Sequence, residues 1–300
     1  MRPKYKLSML LKIAGMSSSS YFDARKRAYG AHFDSDYSIV EDIKAIRAGD
    51  NESESLGYRP LTILINVRRQ GRKETPVNHK RVLRVMRQNG LLSYCYKKKT
   101  AKYNSYEGSK GGERKNYIRG RFTTDRPLQK IGTDVTEARW GAQTTDERLY
   151  ISLFTDFYSG EILSHSISLH PNTEFVLESL EPVIDMLKET PYLTTIHLDQ
   201  GSQYQSGKYR AALKQNHIRQ SMSRKSSPCD NAPTESLIHQ LKVGTVLNHQ
   251  YATQRQLEEA ISNWINYYNF KRIRQSNSWQ TPNEMRNNYV QKLTNISGES

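Results

Sequence analysis

The chain has 300 residues, 36% of them hydrophobic, which is enough for two compact domains with real cores. No uninterrupted apolar run reaches the roughly 18 residues that a membrane helix needs, and the opening MRPKYKLSMLLKIAGM lacks a persuasive cleavage site, so a cytoplasmic, nucleoid-associated protein with no membrane partner is expected. Cys95 and Cys229 stand far apart, and no His or Cys pair has zinc-binding spacing, so a disulfide framework and a structural zinc are both excluded as expectations.

The net charge of +15 is unevenly placed. Residues 1–133 hold 29 Lys and Arg against 12 Asp and Glu, whereas residues 134–300 hold 16 against 18. A basic front half of this kind suits a polyanion such as DNA, because neutralising phosphates releases counterions; a solvated basic surface is the plainer alternative.

Residues 1–35 form a weakly patterned lead-in with one short helix near Ser8 to Ile13. From residue 36 to 95 the pattern turns helical. Ile39, Ile43 and Ile46 fall on one face with Gly49 as the stop, and Pro60 opens a second helix with Leu61, Leu64 and Ile65 on its stripe. Asn78 caps a third, in which Val82, Leu83 and Met86 face inward while Lys80, Arg84 and Arg87 make a basic face. Three short helices ending in a basic one fit a helix-turn-helix domain, with Lys80, Arg81, Arg84 and Arg87 as DNA contacts. The periodicity fits a small charged helical bundle equally well.

Residues 96–128 read as a basic linker. Lys97, Lys98 and Lys99 begin a run of cations interleaved with tyrosines and broken by glycines, suited to tracking a phosphate backbone or to remaining a solvated tether. After Leu128 the period switches to strands: Ile131 to Arg139, Leu149 to Phe157 and Ile162 to Leu169 predict an antiparallel meander. A helix over Thr173 to Glu189, a strand over Leu193 to Leu198, a helix over about Ser206 to Asn216 and a strand over Ile218 to Met222 complete a mixed α/β sheet with helices on its faces. Pro233, the capping box Thr253-x-x-Gln256 and Thr281-Pro282 each open a C-terminal helix, which takes the core over 129–290 and leaves 291–300 as a frayed tail.

Three carboxylates fall at places that chemistry favours: Asp134 within the first strand, Asp199 at the end of the fourth, and Glu235 in the first turn of a helix. Neighbouring first and fourth strands would let two of them meet, and the helix would bring the third. Two Mg²⁺ or Mn²⁺ ions about 3.5–4 Å apart need such a cluster to offset their charge while leaving room for water and phosphate oxygens.

The words around these residues are IGTDVTEARW, HLDQGSQY and PCDNAPTESLIHQLK, with 35 residues between Asp199 and Glu235. With LGYR at 56–59, VNHKRVLRVMRQNGL at 77–91, YYNFKRIRQ and TPNEMR, the chain resembles, over nearly its whole length, the insertion-sequence transposases of the DDE class, in the group whose second reading frame is similar to retroviral integrase. The resemblance implies a ribonuclease-H-like catalytic core behind an all-α helix-turn-helix domain, with Asp134, Asp199 and Glu235 as the catalytic, metal-binding triad. It implies that Lys242, one face of the helix along from Glu235 and His239, contacts DNA phosphate. His197, Gln200 and Asn231 are read as supports beside the carboxylates rather than as metal ligands.

It further implies metal-dependent strand cleavage and strand transfer, double-stranded DNA (terminal repeats and target) as partner, a homodimer or higher assembly on DNA, and fusion to or partnership with an upstream-frame helix-turn-helix protein. The rivals are a nuclease that cuts without joining and a decayed transposase that only binds DNA. The chain departs from the family pattern at Leu198, where serine is common, at Ile131 and Gly132, where an aromatic residue is frequent, and at Gly244, where glutamate is frequent.

Overall fold

The computed structural model describes residues 5–29, 33–93, 115–199, 201–223 and 228–298, and the chain divides into two units, 1–93 and 94–300. In the first unit the helices are α1 (Leu7–Ile13), α2 (Ser18–Tyr29), α3 (Phe33–Gly49), α4 (Tyr58–Gly71) and α5 (His79–Gln88). Ile39, Val40 and Ile43 of α3 pack on Leu61 and Ile65 of α4 and on Val82, Val85 and Met86 of α5. Each set follows helical spacing, so the three helices close one core. Asn78 caps α5, its side chain accepting from the Lys80 amide at 2.8 Å. Val85 is buried where only Val82, Leu83 and Met86 were expected, and Leu83 is half-buried. Helix α2 was not foreseen, because SSSYFDARKRAY carries no continuous apolar stripe.

The second unit is built on a five-stranded sheet of order β3-β2-β1-β4-β5, from β1 (Lys130–Arg139), β2 (Arg148–Asp156), β3 (Ile162–Ser168), β4 (Thr195–Leu198) and β5 (Arg219–Met222). The first three strands are an antiparallel meander, whereas β1–β4 and β4–β5 pair in parallel. Helices α6 (Thr173–Leu187) and α7 (Gly207–Gln215) cover one face, over Ile131, Phe154, Ile196 and Leu198. Helices α8 (Ala232–Gly244) and α9 (Gln254–Phe270) cover the other, over Leu149, Ile151 and Leu153. This is the mixed, two-faced ribonuclease-H-like arrangement expected behind an all-α unit. The Thr253–Gln256 capping box forms at the start of α9, and α10 (Pro282–Gly298) runs on through the stretch expected to fray. Among the described residues no helix is long and apolar enough to cross a membrane.

Two features tighten this unit. The stretch read as linker is, from Lys115 on, laid against the sheet: Ile118 is buried, the Met222 amide donates to the Lys115 carbonyl, and Lys130 Nζ donates to the carbonyls of Arg121 and Thr123 at 2.7 and 2.8 Å. The turn between β2 and β3 is gripped by C-terminal side chains. Asn269 exchanges two hydrogen bonds with the backbone of Ile162, Tyr268 donates to the Gly160 carbonyl, and Arg274 and Asn277 both donate to the Ser159 carbonyl. Glu161, buried, is paired with Arg286 and accepts from Asn283. The YYNFKRIRQ and TPNEMR motifs are thus a clamp on the sheet.

Candidate active site

Alternation along β1 sends Ile131, Thr133 and Val135 toward α6 and α7, and Gly132, Asp134, Thr136 and Ala138 toward α8 and α9. In the parallel β1–β4 pair Gly132 lies beside His197, and continuing that register by two residues sets Asp134 beside Asp199, just past the end of β4. Glu235 sits in the first turn of α8, on this same face. The geometry therefore gathers the three expected carboxylates to one side of one sheet, although 64 residues separate the first two in sequence.

Gly132 explains how α8 comes so near. A Cβ placed there would lie 2.2 Å from Thr234 Oγ1 and 2.5 Å from the Phe157 ring. Absence of a side chain lets Thr234, fully buried, seat directly on β1, and Glu235 is the next residue. Gly244, at the far end of the same helix, has a similar reason: a Cβ would stand 2.0 Å from Trp264 Nε1. It is the last residue of α8 rather than a mid-helix defect. Both positions, read from sequence as departures, are close-approach sites for α8.

The electrostatics follow from this crowding. Burial pushes the Asp134 carboxyl up to about 7, with Asp199 and then Glu235 adding to the rise, against a hydrogen bond from the Val135 amide and the charge of Lys242. Burial and the charge of Asp199 also raise Glu235. Lys242 is lowered by burial, opposed by Glu137 and Asp134. Asp134 thus feels Asp199, Glu235 and Lys242, and Glu235 feels Asp199; like charges at short range favour the protonated form. Among the described residues none of the three carboxylates forms an ion pair, and no three His, Cys, Asp or Glu side chains are drawn closely enough together to hold one ion. Their donor set, carboxylate oxygens alone with Asp134 and Asp199 half-buried and Glu235 exposed, has the chemistry of a hard divalent cation site.

His197 is buried with both ring nitrogens engaged, Nδ1 with Ser221 Oγ at 2.9 Å and Nε2 with the Asp230 carbonyl at 2.5 Å, and burial lowers its pKa. It has no nitrogen left for a metal. Asn231 donates to the Thr133 carbonyl at 3.4 Å, while its Oδ1 and the neighbouring Thr234 Oγ1 are buried without a hydrogen-bond partner. Asp199 accepts from the Gly201 amide at 2.8 Å. Gln200, Lys97, Lys98 and Lys99 lie outside the described residues.

In the first unit Lys80, Arg84 and Arg87 are exposed along α5. Arg81 and Arg84 are bound to Asp36, at 2.9 and 2.8 Å, so two of the four expected DNA contacts already hold a carboxylate. Sequence pattern did not show this, since Asp36 lies 45 and 48 residues away.

Comparison with known proteins agrees with both units. Residues 36–99 match the HTH-like domain family, and residues 124–228 and 216–282 match two integrase core domain families. An uncharacterized transposase-like protein of Haemophilus influenzae is 35% identical over 202 residues, covering 67% of this chain and 89% of its own length. The InsK protein of insertion sequence element IS150 of Escherichia coli K12 is 34% identical over 231 residues, 77% of each chain. Among solved structures, a chain of the simian T-cell lymphotropic virus intasome aligns with a TM-score of 0.46 and 16% identity, covering 77% of this chain and 70% of that one.

Proposed function

We propose, since this chain belongs to the insertion-sequence transposases of the DDE class, that it cuts and joins DNA at element ends, using Asp134, Asp199 and Glu235 to hold two divalent ions, Mg²⁺ or Mn²⁺. The observation that carries this reading is the set of three carboxylates on one sheet face, one of them pushed up to about 7 by burial and by its neighbours. Like-charged acids on one face with no ion pair repel one another unless a cation offsets their charge. Bound divalent ions supply that offset, together with activation of a water or hydroxyl and stabilisation of charge at phosphorus.

The chain's own residues do the rest. Asp134 on β1 and Asp199 just past the end of the adjacent β4 give the metal site its base, and Glu235 closes it from α8. Lys242, two turns further along α8, is set to hold a phosphate of the bound DNA. In the joining step the 3′-hydroxyl of the element end attacks a target phosphodiester; one P–O bond forms as another breaks, and the displaced 3′-oxygen leaves with a proton. The protein contributes position and charge rather than a covalent nucleophile. Lys80, Arg81, Arg84 and Arg87, with Lys97, Lys98 and Lys99, hold DNA outside the core. Two ends must react together, so the acting form is a dimer or larger, with the upstream-frame helix-turn-helix protein as partner or fusion, in the cytoplasm where the chromosome lies.

A strand-transfer assay with labelled element-end DNA in Mg²⁺ or Mn²⁺ tests this. Joined product is expected, abolished by Asp134→Asn with DNA binding retained. Cleavage without joined product would mark a nuclease, and DNA binding with neither product would mark a decayed copy.

A further inference from the structure

The turn that leads into α8 is fastened from two directions. A carbonyl oxygen only accepts, so the 2.5 Å contact between His197 Nε2 and the Asp230 carbonyl puts the ring proton on Nε2. Nδ1 is then the acceptor and takes the hydroxyl proton of Ser221, the residue paired with His197 across β4 and β5. The Ser221 oxygen in turn accepts from the amides of Tyr117 and Ile118, at 3.0 and 3.4 Å. From that same segment Asn116 donates to the Asp230 carboxylate at 3.2 Å, and Phe122 sets its ring edge-on against both His197 and Phe157. Residue 230 is therefore tied through its backbone to the strand that ends at Asp199, and through its side chain to the stretch 115–122.

Asp230 belongs to a short turn, Pro228–Asn231, that runs without a break into α8, whose first turn carries Glu235. Asn231 adds a bond to the backbone of β1 between Gly132 and Asp134. The turn that precedes Glu235 is thus hydrogen-bonded both to β1 next to Asp134 and to β4 two residues before Asp199.

We propose that His197, Ser221 and Asn116 are positioning residues: residues 115–122 act as a strap that, through Ser221, His197 and Asp230, fixes where Glu235 stands relative to Asp134 and Asp199. The proposal rests on the assignment of those carboxylates as the metal site. Partners that orient ligands commonly change metal affinity by about 10- to 100-fold when removed. A linker that carries DNA-binding residues on one side and grips the start of α8 on the other also gives DNA engagement a physical route to the metal site.

Two measurements on the full chain test it: Mn²⁺ affinity by calorimetry, and hydrogen exchange of the backbone amides of residues 230–236. His197→Ala is expected to weaken Mn²⁺ binding by about tenfold and to speed exchange at 230–236 by a similar factor, with the dissociation constant for element-end DNA unchanged. His197→Gln, whose amide keeps a donor for the Asp230 carbonyl, should recover most of both. Ser221→Ala and Asn116→Ala, which remove one polar group each, should move both readouts in the same direction. Unchanged exchange and affinity in Ser221→Ala and Asn116→Ala, or a Gln variant as impaired as the Ala variant, overturns the proposal. A parent protein that binds no Mn²⁺ would instead remove the metal assignment, and the exchange comparison would still decide whether the strap fixes α8.

Discussion

Replacing Gly132 with Ala adds one methyl group at the place where α8 touches β1. That methyl would lie 2.2 Å from Thr234 Oγ1 and 2.5 and 2.6 Å from two Phe157 ring carbons, whereas ordinary contact begins at 3.4 Å. Relief needs a movement of about 1 Å, and Thr234, being fully buried, moves only with its helix. Overpacking of this kind costs about 1–3 kcal/mol of stability. A displacement of about 1 Å in a reacting group costs on the order of 100-fold in rate. Because Glu235 follows Thr234, Gly132→Ala should lower strand transfer by roughly that factor while DNA binding is kept. Urea denaturation read by tryptophan fluorescence gives the first quantity, and single-turnover joining gives the second. The double variant Gly132→Ala/Thr234→Ala, which removes the nearest clashing atom, should regain part of both. A Gly132→Ala protein as stable and as fast as its parent would refute the argument that this glycine seats the helix.

Three further outcomes are expected. The raised Asp134 carboxyl binds its proton in the folded state up to about pH 7 but in the unfolded state only up to about 4, so without divalent ions stability should fall as pH rises through that window. Asp134→Asn should flatten the slope and be more stable than the parent by ~1–3 kcal/mol at pH 8, as denaturation in a chelator at pH 5 and pH 8 would read; an unchanged slope contradicts the assignment. Gly244→Ala should lower the melting temperature despite alanine's helix preference of about 1 kcal/mol, because its Cβ meets Trp264 Nε1 at 2.0 Å; an unchanged or higher melting temperature would count against that contact. Asp36→Asn should release charge on α5, tightening binding to arbitrary-sequence DNA several-fold at low salt and steepening the salt dependence by about one phosphate contact, measured by fluorescence anisotropy. Weaker binding would mean that Asp36 holds Arg81 and Arg84 in the pose that reads DNA.

Periodicity and capping made most of the fold legible. The meander, the helix after it and the short strand ending at Asp199 are local patterns, and Asn78 and Thr253 mark helix starts by chemistry that depends on a few neighbouring residues. What stayed hidden was non-local. Nothing near Gly132 in sequence says that Thr234 will press on it, and nothing near Arg84 says that Asp36 will claim it. Residues 115–122 looked like tether because their anchors, Ser221 and Asp230, lie about a hundred residues on. The three acids were legible as motifs, and the β1–β4 register supplies the reason Asp134 and Asp199 share a face. Their mutual effect on proton affinity is a property of the folded arrangement alone.

The clamp on the β2–β3 turn ties the ripening of the core to a segment made about a hundred residues later. Until residues 268–286 have emerged, the Ile162 amide and carbonyl lack Asn269, and the Glu161 carboxylate lacks Arg286. A product broken off before this point, by a premature stop or by proteolysis, would carry all three acids and the basic helices, yet keep a buried charge unanswered in the middle of its meander. The soundness of the sheet on which the three acids stand therefore depends on the C-terminal helices having been made.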